Sequence, residues 1–114
     1  MMIEDYRFGS ITVEGREYLK DLKIVQGRVM PGWWRKEGHS VDIEDMDDIL
    51  SAMPDILVVG MGQPGRMQVS ESLQRALAEA RIRLIEEPTP QAAKTFNQLS
   101  EKGLNVAGAF HLTC

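Results

Sequence analysis

Disulfides, excess positive charge, long apolar runs and most catalytic side-chain combinations are missing from this chain, and each absence narrows what it can be. Its single cysteine, Cys114, is the final residue, so no intramolecular disulfide can form and packing alone must hold the fold, as in proteins of reducing compartments. Asp and Glu outnumber Lys and Arg by 17 to 13, for a formal net charge of −4. The basic residues are also scattered, which argues against sequence-independent nucleic-acid binding, since that needs Lys and Arg gathered on one surface. No apolar run approaches the roughly 18 residues of a membrane span, and Met1-Met2-Ile3-Glu4-Asp5 has no positive stretch leading into an apolar one. The expectation is a cytoplasmic protein with neither membrane nor nucleic acid among its partners. His39 and His111 are the only histidines, and no complete catalytic or metal-binding constellation is present, so no catalytic residue, metal or cofactor is assigned.

A hydrophobic content of 43% over 114 residues fits one domain, residues 1–114, with one modest core. The first third reads as β structure: a strand within Tyr6 to Val13, a turn at Glu14-Gly15-Arg16, a strand from Tyr18 to Val25, and another from Val29 to Trp34 that Pro31-Gly32 interrupts. Asp42 is a helix cap, Val41 is placed to pack on Met46, and Met46, Ile49, Leu50 and Met53 form an apolar stripe that ends at Pro54. From Asp55 the pattern is regular: strand Ile56 to Gly60, helix Ser70 to Arg81, strand Ile82 to Glu86, helix Pro90 to Lys102, strand Val106 to Phe110. Thr89 supplies a cap before Pro90, and Gly103 closes that helix. This is a βαβαβ unit. The predicted architecture is α/β, with a mixed central sheet, flanking helices and a β-rich N-terminal layer.

Gly60-Met61-Gly62-Gln63-Pro64-Gly65 has the spacing G-x-G-x-x-G after a strand, with Glu86 near the end of the next strand, which matches a dinucleotide fingerprint. Two details oppose that reading. Ser70, the convincing helix cap, comes too late for the third glycine to open the helix, and Pro64 removes an amide donor. A strand-end turn takes precedence, with Arg66 as an anion-binding candidate beside it. In Trp33-Trp34-Arg35-Lys36 the indoles of an extended segment point to opposite faces, so one packs in the core while the other lines a groove, covers a sheet edge or makes a dimer contact. His39 can act as an acid or base but has no evident partner. His111 and Cys114 could share a metal only if the tail turns, because residues three apart on a strand face opposite sides. Glu44, Asp45, Asp47 and Asp48 suit the positive end of a helix dipole.

Taken in order, Phe8-Gly9 with Ile11, Trp33-Trp34-Arg35, Gly38-His39, Pro54-Asp55 through Val59-Gly60-Met61-Gly62, Thr89 with Ala92 and Ala93, Phe96-Asn97, and the closing His111-Leu112-Thr113-Cys114 form a specific set. The chain thereby resembles a domain family of unknown function whose eukaryotic members include the adipogenesis-associated protein and a mitochondrial complex I assembly factor. That resemblance implies a three-layer α/β fold and transfers no catalytic residue. Where the family often shows Gly-Thr-Gly after the central strand, this chain has Gly60-Met61-Gly62, so a hydroxyl there is not essential. The resemblance implies a non-enzymatic accessory or assembly-type role, carried out through an unidentified protein partner, and the adjacent tryptophans leave room for a homodimer. The alternative is a small-molecule or anion site, with or without catalysis, at the C-terminal edge of the sheet. It would draw on Gly60, Gly62, Gly65, Arg66 and Thr89, with Trp34, His39 and Asn97.

Overall fold

The computed structural model describes residues 1–35 and 38–113; readings that involve Lys36 or Cys114 lie outside the described residues. Three antiparallel strands, β1 (Ile3–Arg7), β2 (Ser10–Val13) and β3 (Arg16–Tyr18), form a small N-terminal sheet. The central sheet has five strands, built from β4 (Leu22–Val25), β5 (Arg28–Pro31), β7 (Ile56–Gly60), β9 (Arg83–Glu87) and β10 (Val106–Phe110) in the order β5-β4-β10-β7-β9. β10, β7 and β9 run parallel, while β4 and β5 are antiparallel additions. Two short strands, β6 (Ser40–Val41) and β8 (Gln68–Val69), pair in parallel beside it.

The N-terminal strands differ from the sequence expectation. Tyr6 to Val13 is not one strand, because the chain reverses at Phe8-Gly9, and Tyr18 to Val25 is broken between β3 and β4 at residues 19–21. Each break is only two or three residues long and holds one large apolar side chain, Phe8 or Leu19, which lets the segment read as continuous strand. Met53 also leaves the expected stripe. The segment after Asp42 is a 3₁₀ turn (Ile43–Met46) followed by α1 (Asp47–Ala52), and Met53 sits beyond it in a left-handed conformation, 57% exposed.

β7 and β10 are buried on both faces, which is why each reads as an almost continuous apolar run. One face carries Leu57, Val59, Ala107 and Ala109 against Met46, Ile49, Leu73 and Leu77 of the α1 and α2 (Glu71–Glu79) layer. The other carries Leu22, Ile24, Val58 and Phe110 against Ala92 and Phe96 of α3 (Thr89–Glu101) and against Ile3, Ile11 and Val13 of the small sheet. Three layers result. Chain direction across the sheet reverses after β9, so crossovers of constant hand place α2 and α3 on opposite faces. The carboxyl ends of β7 and β9, whose connections leave toward opposite faces, then form the switch point where α/β sheets collect ligands, with the end of β10 beside them.

Candidate functional site

At that switch point the glycine loop is bonded to the rest of the chain. The Met61 amide donates to Glu87 O at 2.8 Å, the Gly62 amide to Thr89 Oγ1 at 2.9 Å and the Gln63 amide to Thr113 O at 3.0 Å. Thr89 is fully buried; its amide donates to Gly62 O at 3.1 Å and its hydroxyl to His111 O at 2.5 Å. Pro88, not Thr89, therefore stands at the cap of α3, and the threonine hydroxyl ties three segments together instead of closing its own helix. The glycines make this closeness possible. A Cβ on Gly60 would lie 2.9 Å from Thr89 Oγ1, and one on Gly62, whose φ is +96°, would run into Thr113 O and the His111 ring. Ser70 caps α2 by accepting from the Leu73 amide, well past the loop, as the sequence indicated. Amides 61 to 63 are already bonded and no helix opens at Gly65, so these three donors are not turned toward a phosphate.

Beside the loop lies a buried ionic cluster. Asp21, in the turn before β4, accepts from Arg35 Nη1 at 2.7 Å, faces His111 Nδ1 at 2.7 Å and accepts from the Leu112 amide at 2.8 Å. Arg35 also donates from Nε to Gly38 O at 3.0 Å and lies 4.7 Å over the Trp33 ring. Burial by itself would raise the Asp21 pKa, but the hydrogen bonds from His111, Leu112 and Arg35 outweigh it and hold the carboxyl below its ordinary value. Tyr6 donates to Leu112 O at 2.8 Å, and burial together with the Asp21 charge pushes its phenol up. Among the described residues, Trp33 Nε1, Glu87 Oε1 and His111 Nε2 are buried without a hydrogen-bond partner. No group of three or more potential metal ligands occurs among them.

The structure brings Gly60, Gly62 and Thr89 into contact and sets Gly65 against Pro88. His39 is exposed, but its ring stands edge-on to His111 with centroids 6.4 Å apart. Arg66 is exposed on the loop. Asn97 is engaged elsewhere: its side chain accepts from the Ile3 amide at 2.8 Å and donates to Ile3 O at 2.7 Å, fastening β1 to α3. Asp21 was not recognised from the sequence, because it sits inside what reads as one continuous strand. Arg35 and His111 were visible, but only next to Trp34 and Cys114.

The two tryptophans separate as the alternation of an extended segment requires: Trp33 is 7% exposed and Trp34 is 83% exposed. Trp34 lines a groove of about 380 Å³ with Met30, Pro31, Gly32, Glu44 and Asp48, on the flank of the edge strand β5.

Comparison with known proteins places this architecture. The family model described as "Protein of unknown function (DUF498/DUF598)" matches residues 3–111. The chain belongs to that family. The resemblance seen in the sequence is borne out, as is the α/β fold with its mixed sheet and β-rich N-terminal region. Family-like solved structures include one named MT938, 28% identical with a TM-score of 0.80, over 99% of this chain and 98% of that one. The conserved hypothetical protein PH1505 of Pyrococcus horikoshii OT3 is 27% identical with a TM-score of 0.81, and the match covers 100% of both chains. A Bordetella pertussis protein, described as an Mth938-like domain, is 18% identical with a TM-score of 0.74 over 97% and 85% of the two chains, and speaks to the fold alone. No helix among the described residues is long and apolar enough to cross a membrane.

Proposed function

We propose that this family member is a non-enzymatic cytoplasmic accessory protein that works through protein contacts at the face formed by β5 and Trp34. One observation carries the reading: the only large apolar side chain more than four-fifths exposed among the described residues, Trp34 at 83%, stands beside an open sheet edge with Met30 and Pro31. Aromatic side chains left in water next to an unpaired strand suit a contact surface better than a solvated one. At the sheet end, by contrast, Asp21 holds Arg35 and His111 Nδ1, and the Thr89 hydroxyl is spent on His111 O. The test is affinity capture from native lysate with wild type and Trp34→Glu, after confirming that both fold. Proteins recovered with wild type and lost with the variant support the reading; identical recovery from both refutes it.

A second reading, ligand binding at the carboxyl ends of the sheet, is favoured by the unpartnered His111 Nε2 and Glu87 Oε1. A ligand at 100 times its dissociation constant would add about 2.7 kcal/mol of stability. A thermal-shift panel of phosphate, nucleotides and small carboxylates with no response refutes this reading.

A further inference from the structure

β5 is the outermost strand of the central sheet, and among the described residues no strand pairs with its outer side. Gln26 and Gly27, with φ of 52° and 71°, form the two-residue loop joining β4 to β5, and Val25 pairs with Arg28 to close it. The pair closing such a loop exchanges both hydrogen bonds, and the bonding alternates along the ladder. Arg28 and Met30 therefore turn their backbone groups toward β4, while Val29 and Pro31 turn theirs outward. Proline is tolerated at that position because its missing amide faces away from β4. By the same alternation the Arg28 and Met30 side chains share one face of the sheet, the face on which Lys23, the cross-strand neighbour of Met30, reaches Asp48 of α1 at 2.8 Å.

We propose that two copies of the chain pair antiparallel through β5, with the two-fold axis at Met30; this rests on the contact reading above and names its partner. In that register the Val29 amide donates to Pro31 O of the second copy, and the second copy returns the same bond. Met30 meets Met30, and Arg28 falls opposite Gly32 of the second copy. Charge and shape agree with that placement. The groove beyond Gly32 is lined by Trp34 and the exposed Glu44, with Asp48 already paired to Lys23, so each protomer offers a guanidinium at one end of its strand and an indole with the Glu44 carboxylate at the other. A two-fold operation brings these unlike ends together twice. The edge is only four residues long, so the association is weak and depends on concentration.

Sedimentation equilibrium on the full chain over about 5 μM to 500 μM, a range suited to a small weak interface, measures this directly. Wild type is expected to shift from monomer to dimer across the series, and Arg28→Glu to weaken the dimer at least about tenfold through like-charge contact. The double variant Arg28→Glu/Glu44→Lys restores most of the affinity, because the pair is reversed and not lost. In a Cys114→Ser background, Met30→Cys is expected to form a covalent dimer on mild oxidation, whereas Leu104→Cys, exposed at 43% on a different part of the surface, does not. Wild type that stays monomeric throughout, or equal cross-linking at both cysteines, overturns the proposal. If the chain is monomeric while Trp34-dependent capture persists, the self-pairing is wrong and the contact reading stands; if both are absent, both fall.

Discussion

Replacing Asp21 with asparagine removes a charge from a nearly isosteric side chain and leaves Arg35 without the carboxylate that it meets at 2.7 Å. The Arg35 side chain is 7% exposed and that of Asp21 is 14% exposed, so the pair is largely shielded from water. Breaking a buried ion pair by removing one partner costs about 3–5 kcal/mol, since the remaining charge cannot be hydrated. Because Asp21 retains some solvent contact and the asparagine oxygen can still accept from the Leu112 amide, the expected loss is at the lower end, about 3 kcal/mol. For a domain of this size that corresponds to a fall in Tm of about 10 °C. The pH dependence supplies an independent check. The folded Asp21 carboxyl is held below its ordinary value, so its contribution to stability is fully present above the unfolded pKa of about 3.9 and is lost as pH falls through the lower folded value. Urea unfolding of wild type and Asp21→Asn, at pH 7 and at steps below pH 4, should show a difference that is large at neutral pH and shrinks on acidification. A difference below about 1 kcal/mol at pH 7, the level of an ordinary exposed ion pair, would refute the view that this cluster anchors the sheet end.

Three further outcomes follow from the same geometry. Gly62→Ala should cost at least about 2 kcal/mol, from the left-handed backbone and the collision with Thr113 O, and chemical denaturation measures it. Thr89→Val should cost about 2 kcal/mol or more, because the Gly62 amide and His111 O both lose their partner in a dry environment; the NMR amide signal of Gly62 should move most. Asn97→Ala should cost about 1–2 kcal/mol and speed amide exchange at Ile3 while leaving α2 unchanged, because both bonds to β1 are lost together.

The βαβαβ half was legible in the sequence because Ile56 to Gly60 and Val106 to Phe110 are buried on both faces and because Ser70 and Gly103 punctuate the helices. The N-terminal half was harder to read. Leu19 is 70% exposed yet apolar, so it conceals the break between β3 and β4 that places Asp21 in a turn. The glycine loop was found as a loop, but what fills it was not. Its occupant is the chain itself, through Thr89 and residues 111–113, and Gln63 and Thr113 meet across a separation that no local pattern encodes. The Asp21–Arg35–His111 cluster joins three distant turns and ends, each with its own bland local explanation. Only the folded sheet brings them within hydrogen-bond reach.

The central claim is that the chain acts through its β5–Trp34 face, and that the glycine loop serves structure. A photo-cross-linking amino acid placed at position 34 and, in a second variant, at position 66, tests both sites in the intact protein under native conditions. Discrete protein adducts are expected from position 34 and none from position 66. Adducts confined to position 66, or their absence at position 34, would contradict the claim.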